Sequence, residues 1–178
     1  MQYMDERMPT EVDTDTWIWA DETDDYIDNL DDRYLEYDLD ELGSGKWMLF
    51  VKTDDLDEIW TKIRDLTVID QLGYGAKSAT MKPNSKARNS NEKLICVYVS
   101  EASDFVEVAS VLWKLFQNNL VPPYQKSVPF KTDSATLAGN YVKDTNRPVS
   151  TYKLFPKEID GKSLEEFIDY FRKEYLKM

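Results

Sequence analysis

The fold turns on "KLICVYVS", residues 93–100. Leu94, Ile95, Val97, Tyr98 and Val99 suit a pleated surface, and eight residues without Gly or Pro, bounded by polar turn signals, match a strand. The only cysteine, Cys96, lies inside the run. A thiol in such surroundings behaves as a small hydrophobe, so Cys96 reads as core rather than nucleophile. The run is therefore expected at the centre of a sheet.

Working toward the C-terminus, Ser103 is expected to cap the apolar helix "SDFVEVASVLWKLFQNN", which "LVPPYQ" then breaks because two prolines cannot continue it. "KSVPFKTD", residues 126–133, reads as an edge strand, with Pro129 tolerated there. A last strand is placed around "STYKLF". The capping box of Ser163 and Glu166 then opens a helix whose packing face is Leu164, Phe167, Ile168, Phe171 and Leu176.

Toward the N-terminus, "PNSKARNSN" is a polar loop, "AKSATMK" a short strand, "TDDLDEIWTKIRDL" a helix with its acids in the first turn, and "KWMLFVK" a strand. Strand, helix, strand, strand, helix, strands and helix give an α+β class: a mainly antiparallel sheet backed by about three helices. "GSGKW" fits neither a dinucleotide fingerprint nor a P-loop, because the spacing fails in both.

Composition narrows the chemistry. The chain of 178 residues is long enough for one well-buried core, and its hydrophobic fraction of 42% fits a globular domain despite the net charge of −12. Histidine is absent, which removes Ser-His-Asp and Cys-His nucleophiles and most zinc sites. No EF-hand spacing occurs either, and neither a metal nor a cofactor is expected. The N-terminus has no apolar signal segment, and no run approaches the ~20 residues that span a bilayer. The expectation is a cytoplasmic protein that does not engage a membrane.

The charge is localised. Residues 1–42 carry 16 acidic and 2 basic side chains, while residues 43–178 carry 18 and 20. This divides the chain into an acidic N-terminal segment, 1–42, and a single α+β domain, 43–178. In the segment Tyr26, Leu30, Tyr34 and Tyr37 recur at helical spacing, an aromatic stripe expected to pack on the body. Such a segment can also compete with an anionic ligand, or receive a protein partner. The body, by contrast, has a stretch from Gln71 to Asn91 with Lys77, Lys82, Lys86 and Arg88 and no carboxylate, and Lys126 and Lys131 precede the first acid of "QKSVPFKTD". Two such segments on one sheet face make a positive groove of the kind that holds phosphate.

Together, "LGYGAKSATMKPN", "LICVYVS" and "FKTDSATLAGNY" resemble the family of the basophilic leukaemia-expressed protein, over roughly residues 46–155. Its bacterial members are often described as phosphothreonine lyase domain proteins. The resemblance implies a fold similar to translation initiation factor 4E, a curved antiparallel sheet backed by helices. The family's polar positions map onto Lys77, Thr80, Lys82, Lys131, Thr132, Asp133, Thr136 and Tyr141.

Three readings of function follow. In the first, the protein binds a phosphorylated ligand, whether small molecule, nucleotide, RNA end or phosphoprotein segment. Lys77, Lys82, Lys131, Arg88 and Lys153 contact phosphate, Thr80, Thr132 and Thr136 donate hydroxyls, and Tyr141 or Trp47 stacks on a base. In the second it is a lyase using Lys77 or Lys131 as base, without the histidine acid that phosphothreonine lyases employ. In the third it is an interaction or inhibitor protein acting through the acidic segment.

Overall fold

The computed structural model describes residues 3–21, 43–84, 91–133 and 151–178. The strands are β1 (Tyr3–Met4), β2 (Trp17–Asp21), β3 (Gly45–Lys52), β4 (Gly75–Ala79), β5 (Glu92–Val99), β6 (Val128–Thr132) and β7 (Tyr152–Leu154). The helices are α1 (Thr53–Val68), α2 (Phe105–Gln117), the single-turn α3 (Pro156–Ile159) and α4 (Leu164–Tyr175). All pairings are antiparallel, in a curved, unclosed sheet of order β1-β2-β4-β5-β3-β6-β7. The strand of "KLICVYVS" is the fourth of seven, at the centre as its apolar character requires.

Cross-strand partners share a face, and successive residues alternate between faces. Trp47, Leu49 and Val51 of β3 and Ile95, Val97 and Val99 of β5 point to the helix side. There they join Leu56, Trp60 and Ile63 of α1, Val108, Leu112 and Leu115 of α2, and Phe167 and Phe171 of α4 in one buried core. The helices have ordinary local causes. Asp54 and Asp55 complement the N-terminal dipole of α1. Ser163 and Glu166 close the expected capping box on α4. For α2 the cap lies one residue later than expected: Asp104 accepts from the amides of Val106 and Glu107, while Ser103 turns back to Glu101. A carboxylate satisfies two end amides where the hydroxyl of Ser103 would satisfy one.

Two further expectations are corrected. Trp17, Ile18 and Trp19, counted with the acidic segment, form β2 and pair with β4 in register Trp17↔Ala79 and Trp19↔Lys77. The sheet thus begins ahead of the boundary drawn at residue 42. β6 is not an edge strand either, because β7 pairs outside it. Pro129 is tolerated because the β3–β6 register ends at Trp47↔Phe130, so its missing N–H falls past the last pair with β3. Beyond that point Gln125 serves β3 in place of a strand: its Oε1 accepts from Phe50 N at 2.9 Å and its Nε2 donates to Met48 O at 3.0 Å. The aromatic stripe from Tyr26 to Tyr37 lies outside the described residues.

Candidate functional site

The sheet face away from the described helices has its own side-chain set. Met48, Cys96 and Tyr98 form a small buried cluster flanked by Trp19, Phe50, Tyr74 and Leu94. Lys77 stands in register with Cys96 on one side and Trp19 on the other, and Lys46 with Tyr98 and Lys131. Lys77 and Lys131 therefore share this far face, as the alternation of "GAKSAT" and "PFKTD" implies. Ala76 and Ser78 go to the helix side, both buried.

The half-buried centre of the site is Lys77 between two indoles. Its Nζ lies 4.0 Å from the centroid of Trp17 and 5.2 Å from that of Trp19. The two tryptophans are two residues apart on β2 and so project from the same face, while Ile18 and Ala20 are buried on the other. Trp19 continues the aromatic surface inward, stacked with Tyr98 at 6.1 Å, and Tyr74 meets Tyr98 edge-on at 6.3 Å. Cation–π contact at a half-desolvated site contributes on the order of 1 kcal/mol and holds the ammonium over the rings.

The other end of the site differs in character. Lys46 and Lys131, only 6% and 4% exposed, are directly opposed across β3 and β6. Asp133 lies beside them at 3% exposure, bonded to Lys46 Nζ at 3.0 Å and to the Ser44 hydroxyl at 2.6 Å. Like charges facing each other across strands destabilise a sheet, and a buried carboxylate in the same corner offsets that cost. The acid that follows Lys131 in the sequence thus lies in the same corner, bonded to Lys46. The strands that carry Lys77 and Lys131, β4 and β6, are not neighbours, because β5 and β3 lie between them. Three strand spacings put the Lys77 and Lys131 backbones ~14 Å apart across the sheet, too far to share one phosphate.

The remaining expected site residues divide clearly. Lys153 projects from the far face in register with Pro129 and is exposed, and Lys82 is exposed just past β4. Thr80 is buried, its hydroxyl donating to the Asp15 carbonyl and accepting from Lys82 N at 3.2 Å, so it ties β4 to the segment before β2. Thr132 follows the alternation of Phe130 to the helix side. Trp47 is fully buried there, its Nε1 donating to Val108 O at 2.9 Å, and is no stacking platform. Arg88, Thr136 and Tyr141 lie outside the described residues. Gly73 serves close packing, since a Cβ there would collide with the Tyr98 carbonyl oxygen.

Burial raises the pKa of the Cys96 thiol, against the opposing pull of the Lys77 and Lys46 ammoniums. A thiol that stays protonated and fully enclosed is not a nucleophile. Sequence reasoning missed Trp17, Trp19, Lys46 and Tyr98 as members of this face. The signal for the first two was present in "WIWA", a strict two-residue alternation, but the surrounding acids drew attention to charge instead.

These features define a class: an α+β protein with helices on one side of an antiparallel sheet and a lysine-tryptophan surface on the other. No curated protein matches the chain. A family model does, over residues 38–138, more than half of the sequence. The chain belongs to the family described as basophilic leukemia-expressed protein Bles03. The matched region holds Lys46, Lys77, Lys131 and Asp133, and β2 with its tryptophans precedes it. Among the described residues no helix is long and apolar enough to cross a membrane.

Proposed function

We propose that the far face binds a phosphorylated ligand carrying a flat ring, that is, a nucleotide, with the ring against Trp17 and Trp19 and a phosphate on Lys77. The observation that carries this reading is the half-buried Lys77 ammonium between two outward-facing indoles. An ammonium beside aromatic faces supplies the two things a nucleotide offers partners for, a charge and a stacking surface. Lys46 and Lys131, buried behind, add to the local potential more than to direct contact. An initiation factor 4E-like arrangement, with one side of a curved sheet left to a nucleotide, is part of the same proposal. The setting proposed is the cytoplasm, where the thiol of Cys96 remains reduced.

The test is calorimetric titration of the full chain with adenosine mono- and diphosphate. Saturable binding is expected, and Lys77→Ala should weaken it by about 1.5–3 kcal/mol, a charge-assisted hydrogen bond, while loss of its cation–π contacts lowers stability by only about 1 kcal/mol and leaves the variant folded during the titration. Absence of binding at millimolar nucleotide, or equal affinity in Lys77→Ala, would remove the reading.

A further inference from the structure

The Lys77 site is one end of a longer feature. Along the far face, the six strands from β2 to β7 present in spatial order Trp19, Lys77, Tyr98, Lys46, Lys131 and Lys153, each within one two-residue step of the Lys77 row. The stripe runs transverse to the strands: an aromatic, a cation, an aromatic, then three cations. Five strand spacings make it ~24 Å long. Its accessible ends are Lys77, half-buried beside the indoles, and Lys153, exposed on the outermost strand. Between them Lys46 and Lys131 lie just below the surface; of the nearby carboxylates, Asp133 lies one two-residue step beyond Lys131 and is bonded to Lys46, Asp21 is in the Tyr98 row beside β4, and Asp5, whose amide donates to Trp19 O, is paired with Arg7. A mononucleotide on Trp17, Trp19 and Lys77 leaves Lys153 four strand spacings away, ~19 Å, and uses less than half of the stripe.

We infer that the ligand is a single-stranded nucleic-acid segment of about four nucleotides lying across the strands, one base on the Trp17–Trp19 pair and the phosphates running toward Lys153, near the low end of site sizes for sheet-type binders. The inference rests on the nucleotide reading above. An acidic protein can hold such a ligand because affinity follows the local field: 16 of the 34 carboxylates lie in the first 42 residues, and the body carries a slight positive excess. A phosphopeptide would use the cations but offer no base to the indoles, so the aromatic end favours a polynucleotide.

The experiment titrates the full chain with adenosine monophosphate and with oligoadenylates of two, four and eight nucleotides at two salt concentrations, together with Lys153→Ala. That variant keeps the backbone contacts of Lys153 among the described residues, its pairing with Pro129 and its carbonyl accepting from the Tyr175 hydroxyl, and removes an exposed side chain. Affinity is expected to rise about tenfold from one nucleotide to four and to level off by eight. Lys153→Ala should weaken tetranucleotide binding several-fold and flatten its log–log salt slope by about 0.7, the loss of one phosphate contact, with monophosphate affinity unchanged. Affinity independent of length, a Lys153→Ala variant equal to the parent on the tetranucleotide, or a phosphothreonine peptide binding as tightly as the tetranucleotide would overturn the inference. In those cases Lys77-dependent binding of the monophosphate leaves the nucleotide site standing. If neither monophosphate nor oligonucleotide binds, both fall together.

Discussion

Replacing Trp47 by Phe tests the assignment of the two sheet faces, on which everything said about the site depends. Trp47 is fully buried, donates its indole N–H to Val108 O at 2.9 Å, and meets Phe130 edge-on with ring centroids 5.0 Å apart. Phenylalanine keeps an aromatic ring but has no N–H, which removes about 1 kcal/mol. The smaller ring leaves a void of about 40 Å³, worth about 1 kcal/mol, and the lost transfer free energy of the missing atoms adds a comparable amount. The expected cost is therefore about 2–3 kcal/mol, a fall in Tm of about 4–12 °C for a chain of this size. Thermal and urea unfolding followed by circular dichroism measure it, with nucleotide titration of the same variant alongside. Affinity should be unchanged per folded molecule, because the side chain is on the helix side. Trp17→Ala should do the opposite, weakening binding with a smaller loss of stability. A Trp47→Phe protein that melts with the parent but binds nucleotide poorly would mean that the faces have been assigned in reverse.

Two further outcomes follow from the charge arrangement. Glu158 accepts from Phe155 N at 2.7 Å, from the Tyr170 hydroxyl at 2.7 Å and from the Tyr175 hydroxyl at 2.8 Å. Burial alone would raise its pKa, but these bonds and Lys157 together hold it below the usual 4.5. A depressed carboxyl stabilises the fold fully above its unfolded value and loses that contribution as pH falls through the folded one. Glu158→Gln should therefore cost about 1.5–3 kcal/mol at neutral pH, with the gap closing on acidification, and a gap in Tm that widens below pH 4 would contradict this. Replacing residues 22–42, with ten acids and one base, by a Gly/Ser linker of about eight residues should raise oligonucleotide affinity several-fold at low salt and less at high salt. Equal affinity in both proteins would show that this charge does not compete.

The fold was legible where one physical cause dominates a segment. β5 and β3 declare themselves by β-branched and aromatic density, α1 and α4 by apolar spacing and end signals, and the far-face placement of Lys77 and Lys131 follows from simple alternation. Strand order was not legible. That β5 and β3 separate β4 from β6 is decided by long-range pairing, to which no local pattern contributes, and it sets Lys77 and Lys131 three strand spacings apart on the far face. Thr80 and Thr132 look like hydroxyl donors in sequence because hydroxyl chemistry is the same wherever it points. One is consumed by a backbone carbonyl and the other lies on the wrong face. Lys46 reads as a solvated strand end until Asp133, distant in sequence, is found beside it.

The boundary at residue 42 shows how a true compositional statement can mislead about structure. Residues 1–42 are strongly acidic, yet net charge speaks of solubility and association rather than fold. Inside the segment, Ile18 and Ala20 are buried in the core and Trp17 and Trp19 line the site, so 17–21 belongs to the sheet as firmly as any strand in the body. Thr10 adds a second anchor, its amide donating to Asp57 of α1 at 3.1 Å. Truncation at 42 would thus remove β1 and β2 with the acids, expose the edge of β4, and take both indoles from Lys77. Loss of binding in such a truncation would report the missing strands, whatever the acids do. An internal excision that keeps Asp21 and rejoins the chain at Gly43 retains β1, β2 and both indoles, which truncation at 42 cannot do.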